Sequence, residues 1–327
     1  METPKLYDMP LGEEFEIFVL IKNASVKTDR NGRQFIAFSF QDRSGAIDGM
    51  YWSAADDEVE RFQPGRIVSL RGYRELYHGQ PQVHITGLRL TRPGEPEEIK
   101  DYTPAGPISA AEMAEAINHY VQQIKQPVIH DLVTALLEEM TPDFYDYPAA
   151  KRFHHAFVGG LAFHTLSILQ LAEQVVTQYG GVNQSLLYGG IILHDMAKTI
   201  EFSNPVTADY TVEGNLLGHI SLMAGKIALT AEKLGYRQED EAVVLLKHLI
   251  LAHHGKQEYG SPVSPQLMEA EILHHLDDLD ATMNMMQSAL DQTKPNHFSQ
   301  RIMAMDGRTL YQPSRLFQHQ SGFGENE

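Results

Sequence analysis

The sequence predicts a multidomain β plus all-α chain: a five-stranded β-barrel at the N-terminus, then an all-helical domain. Three observations predict it. From residue 15 to 90, short β-branched and aromatic runs are separated by turn residues, the pattern of strands. Residues 91–107, TRPGEPEEIKDYTPAGP, hold four Pro, two Gly and several acids without periodicity, which reads as a linker. From Ile108 onward the apolar residues recur at helical spacing. At 327 residues the chain exceeds one ordinary domain, so each part can bury a core of its own.

The strands are expected at Glu16–Asn23, Gln34–Gln41, Ala46–Trp52, Ile67–Tyr73 and Gln82–Leu88. Asn31-Gly32 supplies the first hairpin turn and Ser44-Gly45 the next. Ala54–Phe62 reads as a short helix, and three strands, a helix and two strands is the order of an OB-fold barrel. Helices are expected at Ala111–Ile124, Val128–Met140, Lys151–Tyr179, Ser185–Ile200, Gly214–Leu234, Glu239–Ala252 and Pro265–Leu290, with a short extended insert near Val206–Val212. After Gln292 the periodicity weakens, and the tail SRLFQHQSGFGENE is expected to be mobile. The expected division is therefore a barrel over 1–90, a linker over 91–107, a helical domain over 108–292 and a C-terminal extension over 293–327.

Hydrophobic residues make up 43% of the chain and charged residues 21%, the balance of a folded protein. There is no Cys, so disulfides and thiolate metal sites are excluded, and any metal must be held by His and carboxylate. The start, METPKLYDMPLGEEFEIF, has no basic segment followed by an apolar one, and eighteen apolar residues never run together. A cytoplasmic protein with no membrane partner is the expectation. The net charge of −17 argues against non-specific coating of nucleic acid. It is concentrated in the second part, because residues 1–100 hold 13 basic and 16 acidic residues while 101–327 hold 13 and 27. Near-neutral charge still permits RNA binding by the barrel, which needs only a local groove and stacking aromatics.

The residues that carry chemistry form an ordered set. His164 lies in GGLAFHT, His194-Asp195 in GIILHDMAK, His219 in NLLGHISL, His253-His254 in LILAHHGK and Asp277 in EILHHLDDLDA. Each sits in apolar sequence, where an unpaired polar group would be costly. Imidazole and carboxylate are ligands of Mn²⁺, Fe²⁺, Co²⁺ and Zn²⁺, and packed helices can present them from separate segments, so a metal centre is the economical reading. Asp195 is placed to bridge two ions. Lys198, three residues after Asp195, returns to the same side of the helix and could reach a phosphate oxygen. A lone buried His is more often a hydrogen-bonded core residue, which is the reading for His248, His274 and His275.

HHAFVGGLAFHT, LHDMAK, GHIS, AHHGK and EILHHLDDLDA resemble the motifs of the HD superfamily of metal-dependent phosphohydrolases. Together with the OB-like segment, the whole arrangement resembles the YhaM-type 3′-to-5′ exoribonucleases over nearly the whole chain. The resemblance implies an OB-fold that grips single-stranded RNA, and often single-stranded DNA. It also implies an HD domain that removes nucleoside 5′-monophosphates from the 3′ end with Mn²⁺, or with Co²⁺, Fe²⁺ or Zn²⁺. The family's ligands carry over onto His164, His194, Asp195, His219, His254 and Asp277, with His253 as a further ligand and Lys198 on phosphate. Asp278 and Asp280 crowd the last ligand. His194, Asp195 and Lys198 are then the catalytic candidates, in a scheme where metal ions activate the attacking water and neutralise the leaving oxygen.

Substrate contacts are less sharply marked. His154 and His155 either touch the substrate phosphate or sugar or pack against the helix, with Arg152 and Lys151 as further candidates. In the barrel, Phe35, Phe38, Phe40, Trp52, Tyr73 and Tyr77 interleave with Arg33, Arg43, Arg71 and Arg74. Phe38 and Phe40 read as core, whereas Trp52, Tyr73 and Tyr77 lie near strand ends and could stack on bases while Arg71 and Arg74 follow phosphates. Two other readings stand beside this one: an HD enzyme for a small nucleotide, and a non-enzymatic single-strand-binding protein of replication. Assembly into a homo-oligomer would be one way to build a narrow channel for the strand.

Overall fold

The computed structural model describes residues 4–314 apart from 30–31, 53, 78–79, 104–105, 142, 151–154 and 156. Five strands, β1 (Glu14–Thr28), β2 (Gln34–Asp42), β3 (Gly45–Trp52), β4 (Ile67–Tyr77) and β5 (Gln80–Leu90), close into a barrel in the order β1-β2-β3-β5-β4. Neighbours run antiparallel except β3 and β5, which pair in parallel. Alternation sends Ile36, Phe38 and Phe40 inward with Val19, Ile21, Ile47, Leu70 and Val83. Helix α1 (Asp56–Arg61) precedes Phe62, which joins that core. At the β4 bulge, a Cβ on Gly72 would lie 2.2 Å from the His84 carbonyl oxygen, so closure requires glycine there. The strands match the expected order and extend past it at several ends. Of the expected Asn31-Gly32 turn, Asn31 lies outside the described residues.

The second part is helical: α2 (Ala110–Val121), α3 (Pro127–Met140), α4 (Asp143–Asp146), α5 (Gly160–Gln178), α6 (Gln184–Leu193), α7 (Lys198–Glu201), α8 (Val212–Lys233), α9 (Glu241–Ala252) and α10 (Met268–Asp291). Helix α6 is buried from Ser185 to Leu193, which explains why its sequence is apolar all round. Gly189 and Gly190 let α3 and α9 approach it, since added Cβ atoms would stand 2.5 Å from Ile129 and 2.4 Å from Leu249. Val206, in the loop between α7 and α8, packs on Leu20, Ile67 and Tyr102 and so ties this part to the barrel.

Three helical expectations need correction. The helix expected over Lys151–Tyr179 begins only at Gly160, after Gly159 in the left-handed region at φ 78°. A Cβ on Gly160 would lie 1.9 Å from the His155 carbonyl oxygen, because the chain doubles back there. The helix expected over Ser185–Ile200 breaks after Leu193 into a tight turn, where Met196 N donates to Leu193 O and Lys198 N to Asp195 O. Helix α8 kinks at Gly218, φ 70°, immediately before His219. The C-terminal segment is also less plain than expected: β6 (His297–Phe298) pairs with β7 (Tyr311–Gln312). The tail expected to be mobile lies, from residue 315, outside the described residues. No described helix is long and apolar enough to cross a membrane.

Candidate metal centre and nucleic-acid face

The tight turn after α6 brings His194 and Asp195 to the centre of the helical part, both buried. Asp195 divides its surroundings in two. Its Oδ2 lies 3.4 Å from His194 Nε2 and 3.7 Å from His164 Nε2, the latter from α5. Its Oδ1 lies 3.3 Å from His219 Nε2 and 3.8 Å from His253 Nε2, delivered by α8 and by the end of α9. Asp277, on α10, completes the first side, with Oδ1 3.1 Å from His164 Nε2 and 3.9 Å from His194 Nε2. His254 joins the second side, grouping with His219 and His253 within 4.8 Å.

The outer nitrogen of each imidazole is tied down, which fixes where the lone pair points. A carbonyl oxygen can only accept, so Nδ1–H donates from His194 to Ile191 O at 2.7 Å, from His253 to Ile250 O at 2.7 Å and from His254 to Tyr259 O at 2.8 Å. Carboxylates do the same for the other two: His164 Nδ1 lies 2.7 Å from Asp280 Oδ2, and His219 Nδ1 lies 3.2 Å from Glu201 Oε1. The Nε2 atoms of His194, His219, His253 and His254 are thereby left as lone pairs, whereas His164 Nε2 lies 3.1 Å from Asp277 Oδ1 and donates to it while it carries a proton. Nε2 of His194, His219 and His253, together with Asp195 Oδ1, is buried without a hydrogen-bond partner among the described residues. Such orphans are what a cation satisfies, and a cysteine-free set of imidazole and carboxylate suits a first-row divalent ion.

The electrostatics agree. Burial pushes the Asp195 carboxyl up, but the Lys198 ammonium, then His194 and His219, hold it well below the usual range. Burial drives His253 well below its ordinary value and lowers His254 too, keeping both neutral as ligands must be. His164 behaves differently: burial lowers it, yet its hydrogen bonds to Asp277 and Asp280 push it up to about 9, so cation and proton compete for its Nε2.

Several sequence expectations meet a different geometry. Lys198 Nζ donates to Asp195 Oδ2 at 2.6 Å, so its ammonium is engaged with the central carboxylate rather than turned to an open phosphate position. His155 is buried, with Nε2 2.7 Å from Asp280 Oδ2 and its backbone N–H donating to Asn284 Oδ1, the geometry of the packing alternative. His154, Arg152 and Lys151 lie outside the described residues. Asp278 is exposed, while Asp280 lies buried behind His164, which leaves Asp277 as the carboxylate facing the cluster. His248 and His274 bond to backbone atoms as expected of packed residues, but His275 is exposed beside Glu271. The sequence reading missed Glu201, Ser167 and Asn284, which touch His219, Asp280 and His155.

Two family models match the chain: the HD domain over residues 161–282 and an OB-fold nucleic acid binding domain over residues 17–91. A Listeria welshimeri protein named 3′-5′ exoribonuclease YhaM is 42% identical over 310 residues, covering 95% of this chain and 98% of its own. A Geobacillus protein of the same name is 40% identical over 315 residues, covering 95% and 97%. The chain belongs to the YhaM family.

In this YhaM-family chain the OB match contains a sheet face of aromatic and polar residues. Ala37, Met50, His84 and Tyr73 stand in register across β2, β3, β5 and β4, with Phe35 and Trp52 paired one step along. Tyr73 stacks on His84 at 4.7 Å and 12°, and Trp52, 57% exposed, lies 4.6 Å from Phe35. Tyr77 is exposed at the end of β4. Arg71 is exposed and pairs with Glu14 at 3.1 Å. Arg74 does not follow an open strand path: its Nη1 donates to Tyr7 O and Met9 O, both at 2.7 Å, fastening the N-terminal segment. His84 and Met50 went unnoticed because their place on this face depends on strand pairing, which single-sequence alternation does not contain.

Proposed function

We propose that this chain is a metal-dependent 3′-to-5′ exoribonuclease that shortens single-stranded RNA, and single-stranded DNA as well, to nucleoside 5′-monophosphates in the cytoplasm. The observation that carries the reading is the convergence of five imidazoles and the Asp277 carboxylate on Asp195, with three buried Nε2 atoms left without a partner among the described residues, within a chain of the YhaM family. His164, His194, Asp195 and Asp277 would hold one ion and His219, His253 and His254 a second shared through Asp195, with Mn²⁺ as the preferred metal. Bound there, divalent ions supply an activated water and neutralise the leaving oxygen. The protein groups have separate tasks. Asp280 and Glu201 aim His164 and His219, and Lys198 balances the central carboxylate. The barrel face of Phe35, Trp52, His84 and Tyr73 offers rings on which bases can stack irrespective of sequence.

The proposed division of labour follows the chain: a barrel over 1–90 that holds the strand, a linker over 91–107, a hydrolytic helical domain over 108–292 and an extension over 293–327. A homo-oligomer belongs to the same reading, since Val212, Leu216 and Leu217 stand exposed just before the ligand His219. The test is incubation of purified protein and Mn²⁺ with 5′-labelled single-stranded RNA, beside a panel of mononucleotides. A ladder shortening from the 3′ end is expected, with Asp195→Ala folded but inactive. Turnover of mononucleotides alone, or full activity in Asp195→Ala, would refute the reading.

A further inference from the structure

We propose that the C-terminal β-hairpin, residues 294–312, is a second contact for the single strand, separate from the barrel, with Phe298 and Tyr311 as its stacking platform. The inference rests on the nuclease reading above. It starts from how the hairpin is held. Ser299 N donates to Leu310 O at 2.7 Å, Leu310 N to Ser299 Oγ at 2.9 Å and Ile302 N to Arg308 O at 2.9 Å. The chain reverses through Asp306 and Gly307, both left-handed, over the buried Met305. Of the two rings, Tyr311 adds a long bond from its hydroxyl to Asn296 Oδ1 at 3.4 Å and Phe298 can add none. Phe298 and Tyr311 face each other across the strands, centroids 5.2 Å apart, and remain 67% and 49% exposed. A two-stranded ribbon is marginal in water, and aromatic rings ordinarily go to packing it. Here they are held outward.

Charge identifies the occupant. The segment carries Lys294, Arg301 and Arg308 against a single acid, Asp306, whereas residues 108–292 hold 9 basic and 23 acidic residues. All three cations are exposed, and Lys294 and Arg301 form no ion pair among the described residues. Paired rings interleaved with cations suit a strand that offers π faces and phosphates together.

Position adds a length rule. From Asp277 at the cluster to Asp291 at the end of α10 is about 21 Å at 1.5 Å per residue. That distance equals roughly six stacked nucleotides at about 3.4 Å each. A stacked strand of four nucleotides with its 3′ end at the cluster spans about 14 Å and stops short of the end of α10, whereas one of twenty passes it.

The experiment compares the wild type with Phe298→Ala/Tyr311→Ala and with Lys294→Gln/Arg301→Gln, using fluorescein-labelled RNA of 4 and 20 nucleotides in EDTA. For the 20-mer we expect about tenfold weaker binding per lost ring. The charge variant should reduce the salt slope by about one per cation, and the 4-mer should be unaffected. Unchanged 20-mer affinity in both variants overturns the hairpin contact while leaving the nuclease reading intact. A wild type that binds neither RNA overturns the hairpin contact, while the nuclease reading is decided separately by the Mn²⁺ ladder assay. Variants that keep 20-mer affinity but sediment as a smaller species would show that the hairpin joins copies of the chain, which also overturns the proposal.

Discussion

Asp280 and Glu201 act alike on opposite sides of Asp195, each accepting from the Nδ1 of a histidine whose other nitrogen faces the cluster. Removing such a partner typically costs 10–100-fold in metal affinity, because the ring loses both its orientation and part of its basicity. Asp280→Asn and Glu201→Gln should therefore each weaken Mn²⁺ binding by about that factor in titration calorimetry, with the far-ultraviolet circular dichroism unchanged. The two should differ in which ion is lost: Asp280→Asn on the His164 side, Glu201→Gln on the His219 side. Wild-type affinity in both variants would show that the backbone alone aims the rings. The sequence exposed the candidate ligands because His and Asp in apolar runs are conspicuous. It could not rank Asp277 against Asp280, since both are near one another on α10 and the choice is made by His164, 113 and 116 residues away.

At the scale of elements, helices start, kink and stop at Gly159, at Gly218 and in the turn from Leu193 to Lys198, and periodicity registers none of these. Apolar spacing continues through LHDMAK, so one helix was expected where a tight turn separates α6 from α7 and sets Asp195 facing inward. The barrel was more legible, because alternation in β1 to β5 follows from one buried face. Strands as short as β6 and β7 leave no such signature. The role of Gly160 can be measured directly. Its added Cβ would strike the His155 carbonyl, a backbone atom that cannot swing aside, and His155 in turn bonds to Asp280. Gly160→Ala should cost about 1–3 kcal/mol in urea unfolding. Gly180→Ala, with no atom within 4 Å of the new methyl, should stay within about 0.5 kcal/mol. Equal midpoints for the two would mean that the doubling back before α5 relaxes freely.

At the scale of the whole molecule, the proposed function assigns holding the strand and cutting it to different parts of the chain, which kinetics can separate. The ring face on β2 to β5 contains none of the residues clustered at Asp195, and the contact of Val206 with Leu20, Ile67 and Tyr102 links the barrel to the loop after α7. Interactions made equally by bound substrate and transition state appear in KM, whereas those made at the reacting bond appear in kcat. Trp52→Ala and Tyr73→Ala each remove one stacking ring, worth about 1–3 kcal/mol. On a 20-nucleotide RNA each should raise KM about tenfold or more while kcat stays within about twofold. Asp195→Asn should lower kcat instead. Because the barrel acts only on what it can reach, the KM effect should shrink as the RNA shortens and vanish on dinucleotides. If Trp52→Ala and Tyr73→Ala lowered kcat on dinucleotides, the barrel would be shaping the cluster itself, through the Val206 contact, rather than holding the strand.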